Sequence, residues 1–148
     1  MKLGFYVDTN GGTPRNLEIY NFLNKEVEDN NLEDAAVFFD TVNFNPIQTK
    51  FGMFDATELW HFTGHLITTS IIGTVKAENV VNKFKVAYLF NAADKNEKTI
   101  FELIRIANNH KVLVTNEVDR GEFLRLTGVS PVLMDGFSLQ QIREVFDE

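Results

Sequence analysis

GFYVDTNGGTPRN, residues 4–16, joins an apolar run to a polar turn with two glycines and then to the start of a helix. The run over residues 2–8, KLGFYVD, reads as a buried strand ending in Asp8. Thr13 stands where an N-cap belongs, and Pro14 would be the first helical residue, where a missing N–H costs nothing. Leu17, Tyr20, Leu23 and Val27 then recur at helical spacing. The unit is strand, glycine turn, helix, and the rest of the chain repeats its rhythm.

DAAVFFD (34–40) is a continuous apolar run of strand length, the pattern of a strand covered on both faces. Residues 41–49, with Pro46, read as loop, and 50–55 as a short strand. HLITTS (65–70) predicts a strand with Thr69 or Ser70 capping the helix behind it. KFKVAYLFN (83–91) predicts another strand. The next helix starts at Asp94 with Glu97 at capping-box spacing and carries Ile100, Leu103, Ile104 and Ala107 on one face. KVLVTN (111–116) reads as a strand whose Asn116 caps a short helix holding Phe123 and Leu126, with Gly128 as its stop. PVLMD (131–135) is the last strand, and Ser138 with Gln141 opens the last helix. Strands alternating with helices imply a parallel sheet. The expectation is one Rossmann-like three-layer α/β domain over residues 1–148, with a mostly parallel sheet of about six or seven strands.

The totals narrow the function. The 148 residues suit one domain with a real core, and the 14 phenylalanines suit core filling. A formal charge of −7 with scattered lysines and arginines argues against nucleic acid and against a membrane surface. With no cysteine, thiolate chemistry and disulfides are excluded. No signal pattern and no apolar run near 18 residues is present, which predicts a soluble, cytoplasmic protein.

In open parallel sheets ligands bind beyond the carboxyl ends of the strands. That rule marks a candidate rim: Asp8 to Thr13, Asp40, Asp55, Thr68 to Ser70, Asn91, Asn116 with Glu117, and Asp135 with Gly136. The opening loop lacks the spacing of a dinucleotide fingerprint and the lysine of a Walker A loop. Even so, Gly11 and Gly12 would let backbone N–H groups approach an anion at the helix N-terminus, and Arg15 would add a charge in the first turn. Gly11, Gly12, Thr13 and Arg15 are therefore the primary ligand-binding candidates, with a flexible, well-capped turn as the plain alternative. Valine at position 12 would block that approach while leaving cap and core untouched.

Two carboxylate groupings invite a metal reading. Asp55, Glu58, His61 and His65 would lie near one face if 55–65 were helical, though Thr63 and Gly64 argue against that. Asp8, Asp40, Glu117 and Asp119 at strand ends are the acids a PIN-like nuclease would use for magnesium or manganese, but the acidic chain and the lack of arginines to hold a substrate strand count against it. His110 at a helix end reads as a structural dipole partner. Neither a metal nor another cofactor is expected, and no nucleophile–base signature is present.

The order of motifs over roughly residues 1–140 resembles the N-terminal domain of GT-B glycosyltransferases, especially the retaining family 4 type. TNGGTPR is similar to their glycine loop and following basic residue. LITTSIIGTVKAENVVNKFKVAYLFNAAD is similar to their middle strand–helix–strand, and VLVTNEVDRGEFLRLTGVSPVLMDGFS to their closing unit. The resemblance implies that Gly11, Gly12 and, more weakly, Arg15 would lie against a donor diphosphate and acceptor. FNAAD departs from the usual ending of the middle unit, and the sequence stops where the donor-binding domain would begin. The implied function is an acceptor-side or partner-dependent half of a glycosyltransferase, inactive alone, meeting a nucleotide sugar or sugar acceptor. A non-enzymatic interaction module of the same fold and the nuclease are the alternatives. A homo-oligomer or a separate donor-binding chain would cover an apolar surface expected at Phe44, Phe51, Phe54, Trp60 and Phe62.

Overall fold

The computed structural model describes residues 1–81, 84–94 and 100–148. Among the described residues seven strands make one sheet: β1 (Lys2–Thr9), β2 (Asp34–Thr41), β3 (Gly52–Asp55), β4 (His65–Thr68), β5 (Lys85–Leu89), β6 (Lys111–Val114) and β7 (Val132–Leu133). They lie in the order β3-β2-β1-β4-β5-β6-β7, and every neighbouring pair is parallel. The helices are α1 (Pro14–Glu28), α2 (Ile71–Glu78), α3 (Ile100–Asn109), α4 (Glu117–Thr127) and α5 (Leu139–Val145), with a 3-10 helix at Ala56–His61.

The two-residue period of the strands sorts the core into two sides. Leu3, Phe5, Val7, Val37, Ile67, Leu89 and Leu113 face α1 and α5, and Phe5 lies edge-on to Phe22 of α1 and to Phe137. The alternate residues face the other way. Tyr6, Phe38 and Leu66 meet the 3-10 helix and α2, while Tyr88, Phe90, Val112 and Val114 meet α3 and α4. This double coverage explains the unbroken apolar runs of β2 and β5, and gives the Rossmann-like three-layer architecture that the alternating units predict. A fully buried ring such as Phe5 contributes about 1.5–3 kcal/mol.

Most local signals act as read. Thr13 Oγ1 accepts from Asn16 N, Ser70 Oγ from Gly73 N, Asn116 Oδ1 from Asp119 N and Ser138 Oγ from Gln141 N. Gly128 ends α4 at φ 74°, a conformation that costs glycine nothing. Other details differ. The inward face of α1 includes Asn16, Ile19 and Phe22 with Tyr20 and Leu23. On α3 it is Ile106, not Ile104, that is fully buried beside Leu103 and Ala107. β7 pairs over only two residues, with Met134 N still donating to the Val114 carbonyl; Gln141 Nε2 takes the Leu133 carbonyl, and the chain turns at Gly136, φ 69°. The Asp94–Glu97 capping pair falls partly outside the described residues. Among those described, no helix is long and apolar enough to cross a membrane.

Candidate functional site

From β1 the chain runs outward to β2 and β3, then returns to place β4 on the other side of β1. The sheet order reverses there, the place beside which ligands of such sheets bind, and Thr69, just past β4, donates from N and Oγ1 to the Tyr6 carbonyl of β1. The first turn of α1 rises from this point. Arg15 reaches across it, and its guanidinium donates to the carbonyls of Thr69, just past β4, and of Leu89 at the end of β5, the latter at 3.2 Å. A cleft of about 360 Å³ opens between α1 and the ends of β5 and β6. Thr13, Arg15, Glu18, Leu89, Asn91, Thr115, Asn116 and Phe137 line it.

Three of the predicted rim residues, Thr13, Asn91 and Asn116, therefore converge with Arg15 of the first turn of α1. Arg15 and Glu18 bring opposite charges to the lining. Asn91 Oδ1 accepts from Ala93 N at 2.9 Å, and Asn116 caps α4 while donating to Asp119 Oδ2 at 2.9 Å. Asp119 is buried and also accepts from Ala92 N at 3.0 Å, so one carboxylate ties the turn after β5 to the start of α4.

The N–H groups of the two glycines have partners within the protein. Gly11 N donates to Thr9 Oγ1 at 3.1 Å and Gly12 N to the Phe44 carbonyl at 2.9 Å. A Cβ on Gly12 would lie 2.6 Å from Pro46 Cδ, and one on Gly11 3.0 Å from Asn43 Cβ. Neither glycine has positive φ, so their smallness serves the close approach of the loop after β2 rather than a special turn. Asn16, which sequence reasoning passed over, secures the loop from beneath. Its Nδ2 donates to the carbonyls of Thr9 and Gly11 at 2.8 and 2.9 Å. The signal for it was a polar residue on the inward face of α1, one turn after the glycines.

Asp8 and Asp40 end neighbouring strands on the α2 side, away from this cleft. Tyr6 Oη donates to Asp40 Oδ1 at 2.7 Å, and Lys76 Nζ lies 3.5 Å from Asp40 Oδ2. Burial first, then the hydrogen bond to Asp40 and the charges of Asp40, Asp8 and Asp55, hold the Tyr6 phenol well above its ordinary pKa. Burial alone pushes Tyr20 up to about 12. Asp135 is exposed beyond β7, and Glu117 pairs with Arg120 at 2.7 Å.

Neither metal grouping is assembled. The described residues contain no cluster of three or more histidine or acidic side chains fit for a metal. Asp55 caps the 3-10 helix by accepting from Thr57 N, which lowers its pKa, and that helix ends before His65. His65 opens β4 and pairs with Glu148 at 3.2 Å. His110 pairs with Glu78 at 3.1 Å. Asp8 is three strand steps from β6, about 14 Å, so Glu117 and Asp119 cannot share an ion with it.

Comparisons of the chain with protein-family models, with curated proteins and with solved structures find no match.

Proposed function

We propose that this chain is a glycosyltransferase-like domain of the GT-B N-terminal type, whose cleft beside the strand-order reversal receives a nucleotide sugar or a sugar acceptor. The observation that carries the reading is the convergence of Arg15, Thr13, Asn91 and Asn116 on one cleft at the carboxyl ends of β5 and β6, next to the reversal, with the N-terminus of α1 adding its partial positive charge. The motif order in the sequence supports it. In this reading a second, donor-binding unit completes the site. Calorimetric titration with UDP-glucose and GDP-mannose tests the cleft. Glu18→Gln, which removes a negative lining charge, should strengthen binding, and Arg15→Gln should weaken it at least tenfold. Equal binding by all three proteins, or none at millimolar ligand, would remove the reading.

A non-enzymatic assembly module is the second reading, and exposed apolar side chains favour it. Val42 and Phe44 are 79% and 78% exposed on the loop after β2. The expected apolar surface is only partly present: Phe51 packs against Tyr20 with ring centroids 5.8 Å apart, and Phe62 is buried against Phe38. A clean monomer by light scattering at high concentration would count against self-association. The nuclease reading gains no support, since Asp8 and Asp40 lie three or more strands away from Glu117 and Asp119.

A further inference from the structure

A second cleft, of about 320 Å³, lies between the 3-10 helix and α2 and shares no lining residue with the first. Tyr6 and Asp40 contribute to its lining from the sheet, Trp60 from the 3-10 helix, Lys76 from α2 and Asn79 from the C-cap of α2. Its polar atoms alternate in character. The Tyr6 hydroxyl donates to Asp40 and still accepts, and the Asp40 carboxylate has acceptor positions beyond those facing Tyr6 and Lys76. Lys76 supplies donors, while Asn79 spends its Nδ2 on the Val75 carbonyl and leaves Oδ1 as an acceptor. Beside them stands Trp60, 53% exposed although it is a large aromatic.

The charged lining groups are one carboxylate and one ammonium, each facing the other, so a charged ligand would neutralise nothing there. Asp8 and Asp55 add negative field at the Tyr6 hydroxyl and oppose a phosphorylated ligand. A ring that carries adjacent hydroxyls, each both donor and acceptor, and an apolar C–H face meets these conditions. The volume is at the lower end of the range for ligand sites, about 300–1,000 Å³. We propose that this cleft binds one ring of a neutral carbohydrate, with Trp60 lying on the ring face and Asp40 and Lys76 bridging two neighbouring hydroxyls. The inference does not rest on the glycosyltransferase reading, which concerns the other cleft.

Trp60 is the only tryptophan in the chain, so tryptophan emission reports on this cleft directly. The full chain is titrated with glucose, galactose, mannose and N-acetylglucosamine up to about 100 mM, with inorganic phosphate and choline as charged controls. A saturable emission change with at least one sugar and with neither control is expected. Asp40→Asn, which keeps the shape and an acceptor for Tyr6, should weaken binding tenfold or more. Trp60→Ala, with its fold checked by circular dichroism, should abolish the calorimetric signal. The proposal is overturned if none of the four sugars saturates a response by emission or calorimetry, if choline or phosphate does so in their place, or if Asp40→Asn binds as the wild type does. UDP-glucose binding that depends on Arg15 is read separately, so the failure of either site leaves the other to stand on its own result.

Discussion

Gly12 and Pro46 lock two loops together: a Cβ on Gly12 would lie 2.6 Å from Pro46 Cδ, and the adjoining Gly12 N–H donates to the Phe44 carbonyl. A proline ring does not swing aside as a lysine tip would. Gly12→Ala should therefore overpack the contact and cost about 1–3 kcal/mol, with valine at the upper end. The sequence-based expectation that valine at 12 leaves cap and core untouched did not include this loop contact, which lies outside the core. A urea midpoint that falls with unchanged m-value is the expected result. An unaltered midpoint would mean that the loop after β2 yields freely.

Thr13 and Asn16 hold the same loop by different means, and the two losses should differ in size. Thr13→Ala removes a surface cap on Asn16 N and should cost about 1 kcal/mol. Asn16→Ala strips donors from the carbonyls of Thr9 and Gly11 at a site only 6% exposed, and should cost about 1–3 kcal/mol. Hydrogen exchange adds a second check, since only Asn16→Ala should loosen residues 9–12 as a unit. If Thr13→Ala proves the costlier change, the clamp assigned to Asn16 is wrong.

Glu78 joins α2 to α3. Its two carboxylate oxygens take a bidentate contact from Arg105 at 2.7 and 2.8 Å, with His110 beside them. The Arg105 hydrogen bonds are the largest cause lowering its pKa from 4.5 to about 2; burial works the other way, and His110 adds to the lowering. Because folding favours the carboxylate, the stabilisation is complete above pH 4.5 and disappears as pH falls towards about 2. The Arg105 side chain is 39% exposed, so solvent screens the pair, and about 1 kcal/mol or less is expected. Glu78→Gln should lower the unfolding free energy by that amount at neutral pH and flatten the pH dependence between 4.5 and 2. The gap should narrow at high salt. Parallel pH profiles for the two proteins would contradict the assignment.

What the sequence made legible was local. A cap reads its own next turn, so Thr13, Asn116, Ser138 and Gly128 could be placed from neighbours a few residues away. The apolar runs of β1, β2 and β5 announced a doubly covered sheet for the same reason. The purpose of Gly12 was hidden because its neighbour Pro46 is 34 positions distant, across the return of a parallel crossover. Tyr6 was hidden too: within an apolar run its hydroxyl looks incidental, and its partner Asp40 is contributed by the next strand. That Asn91, Asn116 and Arg15 line one cleft followed from strand order, which spacing along the chain does not encode. Ile104 and Ile106 are both apolar on α3, and only packing against the sheet decided which was buried.

Asp119 offers the sharpest test of how the first cleft is held open. Its Oδ1 accepts from Ala92 N at 3.0 Å and its Oδ2 from Asn116 Nδ2 at 2.9 Å, while its own N–H donates to Asn116 Oδ1 at 2.8 Å. The carboxylate is thus needed as a double acceptor. Asp119→Asn keeps size and shape but turns one acceptor into a donor. If the new carbonyl serves Ala92, the new amide faces Asn116 Nδ2, donor against donor; if the amide flips, Ala92 N loses its partner. Asn116 cannot rotate to relieve this without giving up the α4 cap. The substitution should cost about 1–3 kcal/mol, the range for leaving a buried polar group unmatched. The damage should concentrate at the turn after β5, where Asn91 lines the cleft. Faster hydrogen exchange at Ala92 and Asp119, with the exchange of β1 and β4 unchanged, is the expected pattern. Unchanged protection at Ala92 would show that Asp119 does not hold this turn, and the placement of Asn91 in the cleft would need another cause.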